Sequence, residues 1–466
     1  MSKELTLYRY RLPFRISLRN EQGLTRHRNG VILGDGEALW TEIAPLPGFS
    51  TESLDDCVSF LMKNRESVQR HFRSQSLGEW LQDDFIAEEF AALPSVRFGL
   101  SMLAAQQQAF SSELPLYALL TRTHLPEHPQ LLRRPDASCG EPPSHDPAAD
   151  APGGRENVST SAGRHRSPAG GEHAGQAPAH ITHAGHVVRC NGIVGQDTPE
   201  RMLQSVKALQ NGGFTTIKLK LPPSVREALD LFRTLHQAYP GLRFRLDANA
   251  AFSPDDAARL LEGLSEFRGP RHRSSTEPPS APIEYIEEPL NRGSFRQWNR
   301  LRSFGIPIAA DESARTADQI SRLLEEDAVD AIVLKPTLYG SAQELHGLVD
   351  LVRNHNYARW SDGKTRPVSL VVSSALETSV GRQLLAHLAA CVDMVLKPEA
   401  HGLATGHLFE ADFTLRTHPE GVARGATASS HKSAASLTIE EPEPPNPEIM
   451  LAAEPGVGMR PVPQNR

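Results

Sequence analysis

The chain has 466 residues, 39% of them hydrophobic and 23% charged, with a formal net charge of −7, which is enough for a large core and more than one domain. Because no Lys/Arg-rich run stands out, the mild acidity argues against a nucleic-acid partner, and four scattered cysteines predict neither a disulfide framework nor a zinc site. The sequence has no apolar signal core and no apolar run long enough to span a bilayer, so we expect a cytoplasmic protein without a membrane partner.

Residues 1–133 are predicted to form an α+β unit. Residues 5–45 alternate between apolar and polar side chains in the manner of strands. The turn signal Gly34-Asp35-Gly36 lies between two such runs and predicts a hairpin. The polar segment 23–29 is expected to be a mobile loop.

Helical periodicity replaces this alternation over residues 51–123, where Ser50 or Thr51 is predicted to cap the first helix. Residues 134–184 differ in kind, since they are rich in Pro, Gly, Ser, Ala and His and have almost no large apolar side chains. Such a segment cannot bury enough surface to offset its ordering entropy. It is therefore predicted to be a disordered insertion.

From residue 185 to 416, short apolar runs recur roughly every 25 to 40 residues, which is typical of repeated βα units. The first barrel strand is predicted at 187–190 and the eighth at 394–396. Two further segments, 268–282 and 417–466, lack hydrophobic periodicity and are predicted to be disordered. The remaining chain, about 350 residues, suits one barrel with a small second unit.

Charged residues end several of the predicted strands. Lys218 and Lys220 lie two positions apart on one strand, so both side chains leave the same face. The later runs end in three acids and another lysine, namely Asp247, Glu287, Asp311 and Lys335. Residues at the carboxyl ends of barrel strands converge on one mouth, where (β/α) barrels have their active sites. Three carboxylates suit Mg²⁺, with Mn²⁺ as the alternative, and flanking lysines suit proton removal from carbon next to a carboxylate.

The ordered set Lys-x-Lys, Asp-x-Asn, Glu-Glu-Pro, Asp-Glu-Ser and Lys-Pro resembles the enolase superfamily, and within it the o-succinylbenzoate synthases of menaquinone biosynthesis. The likeness also includes segments 41–50, 93–99, 190–192 and 373–381, and it covers most of residues 5–130 and 187–415. The resemblance implies a modified (β/α)7β TIM-like barrel over 185–416, with an α+β capping domain over 1–133.

The resemblance also implies roles for individual residues. Lys220 is expected to be the general base, with Lys218 assisting it and Lys335 stabilising negative charge from the opposite side. The expected Mg²⁺ ligands are Asp247, Glu287 and Asp311. Asn249 and Glu312 are expected to support these ligands, and Arg245, Ser373 and Ser374 are expected to contact the substrate.

Each of these residues could instead have a purely structural role. The acids could cap the following helices, and the lysines could be exposed strand or loop residues. Arg245 could form an ion pair inside the barrel, and the two serines could simply end the seventh strand. A cap loop over the pocket is predicted at 46–49, although Phe49 could equally pack in a turn.

The implied activity is a Mg²⁺-dependent syn dehydration of a small carboxylate, 2-succinyl-6-hydroxy-2,4-cyclohexadiene-1-carboxylate. The first alternative is an N-acylamino acid racemase or dipeptide epimerase, which needs an acid or base lysine on each face of the substrate. Lys220 and Lys335 would satisfy that requirement as well. The second alternative, of another class, is a non-catalytic scaffold. The sequence does not predict an oligomeric state.

Overall fold

The computed structural model describes residues 4–20, 23–36, 38–122, 186–267, 281–290, 295–363, 366–416, 438–440, 448–451 and 460–461. The chain divides into two compact units, and all described residues belong to the one formed by residues 1–124 and 184–466. Residues 134–184 and 268–280 lie outside the described part of the chain, so their predicted disorder stays a prediction. The division into a cap, a barrel, insertions and a tail also stays a prediction.

The N-terminal part begins with a three-stranded antiparallel sheet in the order β1-β2-β3. Its strands are Thr6–Asn20 (β1), Gly23–Gly34 (β2) and Trp40–Ile43 (β3). The predicted hairpin is confirmed, and Asp35 closes its turn by accepting hydrogen bonds from the backbone N–H groups of Ala38 and Leu39. The loop predicted at 23–29 is wrong, because these polar residues pair with β1 through their backbone.

Six helices follow the sheet: Leu54–Lys63 (α1), Arg65–Arg73 (α2), Leu77–Trp80 (α3), Asp84–Phe90 (α4), Pro94–Ser111 (α5) and Leu116–Arg122 (α6). The predicted N-cap was placed too early, since Ser53 caps α1 in a reciprocal pair with Asp56. Glu52 turns away from α1 and accepts a 2.9 Å hydrogen bond from Ser95 N. It thereby holds the start of α5 beside α1.

The second part contains alternating strands and helices. Its strands are His186–Arg189 (β4), Gly192–Val194 (β5), Thr216–Lys220 (β6), Arg243–Asp247 (β7), Ile283–Glu287 (β8), Ile308–Ala310 (β9), Ala331–Leu334 (β10) and Ser369–Val372 (β11). Its helices are Pro199–Asn211 (α7), Val225–Ala238 (α8), Pro254–Leu264 (α9), Phe295–Arg302 (α10), Ala317–Glu325 (α11), Pro336–Tyr339 (α12), Ala342–Ser361 (α13) and Ser379–Val395 (α14). Across the described residues, none of the helices combines the length and apolarity that a membrane crossing requires.

Strands β5 to β11 form one parallel sheet in sequential order. Alternate residues such as Ile217 and Leu246 face outward and pack against the helices in the main core. The interior is filled by a smaller apolar cluster of Tyr285, Ala309, Ala331, Val333 and Val371. A packed interior leaves the carboxyl ends of the strands as the place where polar side chains can gather.

The barrel is closed by a short bridge rather than by a long eighth strand. His401 pairs with Cys190, and Gly402 pairs with Ser373, both in parallel. The eighth strand predicted at 394–396 is wrong, since these residues form the end of α14 and the turn after it. Residues 384–393 of α14 are all buried, and a short apolar run at the end of such a helix cannot be told from a buried strand by hydrophobicity alone.

His401 stabilises this closure through two buried hydrogen bonds. Its Nδ1 accepts from Val372 N at 2.9 Å, and its Nε2 donates to Asp393 Oδ1 at 3.1 Å. We expect His401→Ala to lower the free energy of unfolding by about 2–4 kcal/mol, because a buried amide and a buried carboxylate each lose a partner. Urea denaturation monitored by circular dichroism measures this change. An unaltered unfolding curve would show that closure does not depend on the imidazole.

The C-terminal segment is partly ordered, in contrast to the prediction for 417–466. It follows Asp412–Arg416 (β12) and contributes Thr438–Glu440 (β13), Glu448–Leu451 (β14) and Arg460–Pro461 (β15). Strands β13 and β15 pair with β12, and β14 pairs antiparallel with β4. Since β4 and β12 lie outside the parallel sheet, their backbone groups are available to pair with this polar chain. The other residues from 417 onward lie outside the described part.

Candidate active site

The charged residues singled out in the sequence lie at the carboxyl ends of neighbouring strands. In the parallel register Lys220 stands beside Asp247, and Asp247 stands beside Glu287. Asp311 directly follows β9, and Lys335 directly follows β10. Because β6 to β10 are consecutive neighbours in the sheet, these five residues line an arc around one end of the barrel.

Lys218 is a buried cation held between two buried carboxylates. Its Nζ lies 3.0 Å from Asp247 Oδ2 and 2.7 Å from Glu287 Oε1. Burial disfavours the ammonium form, but the attraction of Asp247, Glu287 and Asp311 outweighs burial and raises the pKa of Lys218 well above its ordinary value. Lys218 therefore contributes a fixed positive charge rather than a base.

Lys335 forms the second buried ion pair, with Asp311. Burial again opposes the charged form, but Asp311 and Glu312 outweigh it and raise the pKa of Lys335. Burial also acts to raise the pKa of Asp311, yet Lys335 and Lys218 lower it overall. The centre of the Phe49 ring lies 5.8 Å from Lys335 Nζ, which places the loop 46–49 beside this lysine, while its role as a cover over the pocket stays a prediction.

Lys220 differs from both of these lysines. Its side chain is half-buried, and within the described ranges it makes neither an ion pair nor a hydrogen bond. It lies two residues from Lys218, on the same face of β6. A general base needs a lone pair that no protein group already engages. Among the three lysines, Lys220 meets that condition best.

The three carboxylates form a donor set made of oxygen atoms alone, which is the set that Mg²⁺ prefers. Glu287 Oε2 is buried and has no hydrogen-bond partner among the described residues. Burial, together with the charges of Asp247 and Asp311, outweighs Lys218 and raises the pKa of Glu287 well above its ordinary value. The unpartnered oxygen and the excess of negative charge over Lys218 fit a divalent cation.

The three carboxylates do not converge on a common coordination centre in this structure. Within the described part of the chain, no three Asp, Glu, His or Cys side chains are arranged so that they could hold a metal ion as they stand. The ammonium group of Lys218 lies between Asp247 and Glu287, and that of Lys335 lies against Asp311. The oxygen donors therefore suit Mg²⁺ chemically, and in this structure the ammonium groups of Lys218 and Lys335 lie against them.

The two residues expected to support the ligands lie beside them. Asn249 acts through its main chain, since its N–H donates to Asp247 Oδ1 at 3.1 Å and its side chain is exposed. Its φ of +46° lies in the left-handed region, which asparagine tolerates better than most residues. Glu312 is half-buried beside Asp311, and burial together with Asp311 raises the pKa of Glu312.

Glu288 has a role that the sequence did not reveal. Its carboxylate accepts hydrogen bonds from the backbone N–H groups of Asp311 and Ser313, at 3.0 and 3.2 Å, and from the Ser313 hydroxyl. It is fully buried, and burial raises its pKa to about 7. Glu288 therefore fixes the turn that presents Asp311. The second acid of the Glu-Glu-Pro motif was the available signal.

Arg245 lies on β7 two residues before Asp247 and is engaged by groups inside the barrel, while its contact with substrate stays a prediction. The guanidinium is fully buried and donates to Glu284 Oε2 at 2.7 Å and to Asn191 Oδ1 at 3.1 Å. It also lies 4.9 Å from the centre of the Tyr285 ring. Arg245 is thus an ion-paired residue inside the barrel, the alternative that the sequence left open.

The two serines after β11 differ from each other. Ser374 is buried, donates to Glu377 Oε2 at 2.6 Å and accepts from Leu376 N at 3.0 Å. The Ser374 hydroxyl also accepts a 3.2 Å hydrogen bond from the Thr405 hydroxyl, so protein groups engage it on several sides. Its contact with substrate stays a prediction. Ser373 is half-buried beside Gly402 and stays a candidate for substrate contact.

Comparison with known proteins agrees with this arrangement. Residues 201–465, more than half of the chain, match the family described as Enolase C-terminal domain-like. Residues 2–107 match the family described as MenC, N-terminal domain. A curated relative, the o-succinylbenzoate synthase of Edwardsiella ictaluri, is 28% identical over 423 residues, which cover 90% of this chain and 94% of the relative.

Two solved structures illustrate the shared fold. The dipeptide epimerase of Enterococcus faecalis V583, complexed with Mg and the dipeptide L-Leu-L-Tyr, matches 98% of this chain and 99% of its own, with a TM-score of 0.61 at 16% identity. The o-succinylbenzoate synthase of Thermosynechococcus elongatus BP-1, complexed with Mg, matches 86% of this chain and 92% of its own, with a TM-score of 0.50 at 21% identity. The barrel with charged residues at its strand ends, together with the match to more than half of the chain, shows that the protein belongs to the enolase superfamily.

Proposed function

We propose that the protein is an o-succinylbenzoate synthase, a lyase that removes water from 2-succinyl-6-hydroxy-2,4-cyclohexadiene-1-carboxylate to give 2-succinylbenzoate. The observation that carries the proposal is the contrast among the lysines. Among the described residues, the Lys220 side chain has no hydrogen-bond or ion-pair partner and lies beside three buried carboxylates. Lys335, by contrast, is ion-paired with Asp311 at the end of β10, which three strands separate from β6. One available base and one fixed cation are what a one-base elimination requires.

The chemistry divides among the residues as follows. Lys220, as the neutral amine, takes the proton from the carbon next to the substrate carboxylate. Lys335 supplies positive charge where negative charge develops on that carboxylate. Lys220, now an ammonium, returns the proton to the departing hydroxyl, so that water leaves and the ring becomes aromatic. The proton and the hydroxyl leave from the same face of the ring.

Asp247, Glu287 and Asp311 would hold the Mg²⁺ ion, with Asn249 and Glu288 fixing two of these carboxylates. When bound, Mg²⁺ supplies Lewis-acid stabilisation of charge on a carboxylate oxygen. Lys218 offsets only part of the negative charge of Asp247 and Glu287 and would share these carboxylates with the ion. The pocket would thus take a small-molecule carboxylate.

Two comparisons support the choice of reaction. The curated relative from Edwardsiella ictaluri is named for this activity and aligns over nearly the whole chain. The N-terminal match to the MenC family covers the strands and the loop that carries Phe49, which lies over Lys335. Substrate-facing loops set the reaction of a barrel enzyme more than the barrel does.

The second candidate is an N-acylamino acid racemase or dipeptide epimerase. Its support is the pair of lysines on different sides of the barrel and the structural likeness to dipeptide epimerases. Racemisation needs Lys335 to exchange a proton. The buried pair with Asp311, which raises the pKa of Lys335, favours its role as a charge instead.

The test compares both reactions in one preparation. Purified protein is supplied with Mg²⁺ and assayed for dehydration of the cyclohexadiene, and separately for deuterium incorporation into N-acyl amino acids and dipeptides. We expect rapid dehydration and much slower exchange. Rapid exchange with little dehydration would overturn the proposal in favour of the racemase. The absence of both reactions would favour the non-catalytic scaffold.

A further inference from the structure

The buried side chain of Arg28, on β2, donates to three main-chain carbonyl groups of the described residues. Its Nε donates to Leu376 O at 2.9 Å, its Nη1 to Pro45 O at 2.6 Å, and its Nη2 to Ala44 O. The residue is almost fully buried. One guanidinium thus joins the start of the cap loop 45–50 to the loop that follows barrel strand β11.

Glu42, on the neighbouring strand β3, forms a second connection between the same regions. Its carboxylate accepts hydrogen bonds from Thr378 N, from the Thr378 hydroxyl at 2.6 Å, and from Gly381 N at 2.9 Å. Thr378 is the N-cap of α14 but makes no capping bond of its own, so Glu42 supplies the cap. Tyr10 donates to the other side of the carboxylate.

Both connections lead to Lys335. On one side, the chain runs from Pro45 to Phe49, whose ring lies over the Lys335 ammonium. On the other side, Glu377 follows Leu376 and accepts a 2.6 Å hydrogen bond from Thr337, two residues after Lys335. Arg28 therefore lies at the point where the two walls around this lysine are joined.

We propose that Arg28 and Glu42 are positioning residues, which hold the cap loop 45–50 and the loop 373–378 at a fixed separation around Lys335. The pocket then keeps its shape before substrate arrives, and the substrate does not lose binding energy in ordering two loops. This inference rests on the proposed dehydration, because that reaction requires Lys335 to be held beside the substrate.

The experiment measures kcat and KM for dehydration in Arg28→Met, Arg28→Lys and wild-type protein. Loss of Arg28 is expected to raise KM by about tenfold while kcat per folded molecule changes by less than about threefold, the pattern of lost binding rather than lost chemistry. Arg28→Lys keeps the charge and part of the hydrogen bonding, and should give an intermediate KM. Arg26→Met, which replaces an exposed arginine two residues earlier on β2, is the matched control and should match wild type.

Thr378→Val removes only the hydroxyl bond to Glu42 and serves as the milder variant if Arg28→Met does not fold. Its KM should rise in the same direction by a smaller factor. A lower melting temperature with an unchanged KM in both Arg28→Lys and Thr378→Val would overturn the proposal and leave a purely structural role. Absence of dehydration in wild-type protein would instead contradict the proposed function, so the two failures are distinguishable.

Discussion

Replacing Lys220 with alanine is expected to lower the dehydration rate by about 10²–10⁴-fold, the usual contribution of a general base. The reason is that no other described group near the mouth combines a lone pair with freedom from protein partners, since Lys218 and Lys335 are both ion-paired. The fold should persist because the Lys220 side chain has no hydrogen-bond or ion-pair partner in the described part of the chain whose loss would leave a buried group unpaired. The measurement is the single-turnover dehydration rate together with the melting temperature. Lys207→Ala, at an exposed helical position, is the control.

Lys335→Arg separates the two candidate reactions. Arginine keeps the positive charge beside Asp311 but cannot act as a base near neutral pH. In a one-base dehydration this variant should retain part of the activity, whereas Lys335→Gln, which also removes the charge, should retain less. If the protein is a racemase, both Lys220→Ala and Lys335→Arg should abolish deuterium exchange. Complete loss of dehydration in Lys335→Arg with retained activity in Lys335→Gln would contradict a role in charge stabilisation.

Glu287→Gln is expected to weaken Mg²⁺ binding by about a hundredfold and to lower turnover at least as much, because a charged ligand is lost from the centre of the set. Folding should be little affected, since Lys218 and Lys335 still face Asp247 and Asp311. Isothermal titration of metal-free protein with Mg²⁺ measures the binding directly.

The matched control for this variant is Glu284→Gln on the same strand. Glu284 lies deeper in the barrel, where it pairs with Arg243 and Arg245. Its replacement should leave Mg²⁺ affinity unchanged even if stability falls. Equal affinity in Glu287→Gln and wild type would remove Glu287 from the metal site, and full turnover in excess chelator would remove the metal requirement altogether.

The positions of the charged residues could be predicted because each one ends an apolar strand. Strand ends in a parallel barrel meet at one face, so the spacing of Lys220, Asp247, Glu287, Asp311 and Lys335 along the chain was sufficient to bring them together. Their pairing with one another could not be read in the same way. Which oxygen meets which ammonium depends on rotamers and on the absence of other partners.

The roles of Arg245 and Glu288 show where local pattern fails. Arg245 lies on the same strand face as Asp247, and face alone does not reveal that Glu284 lies within reach to neutralise it. Glu288 follows the proposed ligand Glu287, yet its φ of +44° turns its carboxylate toward the next loop. The local sequence does not indicate this left-handed backbone conformation, because tertiary contacts impose it.

The predictions for the eighth barrel strand and for the C-terminal segment were wrong for a different reason. A two-residue bridge such as His401–Gly402 is too short to give an alternating pattern. Strands such as β14 add to an existing strand edge through backbone groups, which any residue except proline can supply. Sequence composition therefore under-predicts pairing that depends on a preformed partner.

The hydrogen bond between Glu42 and Thr378 joins residues 336 positions apart in the sequence, and this separation affects the order in which the chain folds. During synthesis the N-terminal sheet leaves the ribosome long before α14 exists, so Arg28 first has only Ala44 and Pro45 as partners, and Glu42 first has only Tyr10. Closing so long a loop is entropically costly and slow. We expect α14 to dock last, as the step that fixes strands β1 to β3 onto the finished barrel.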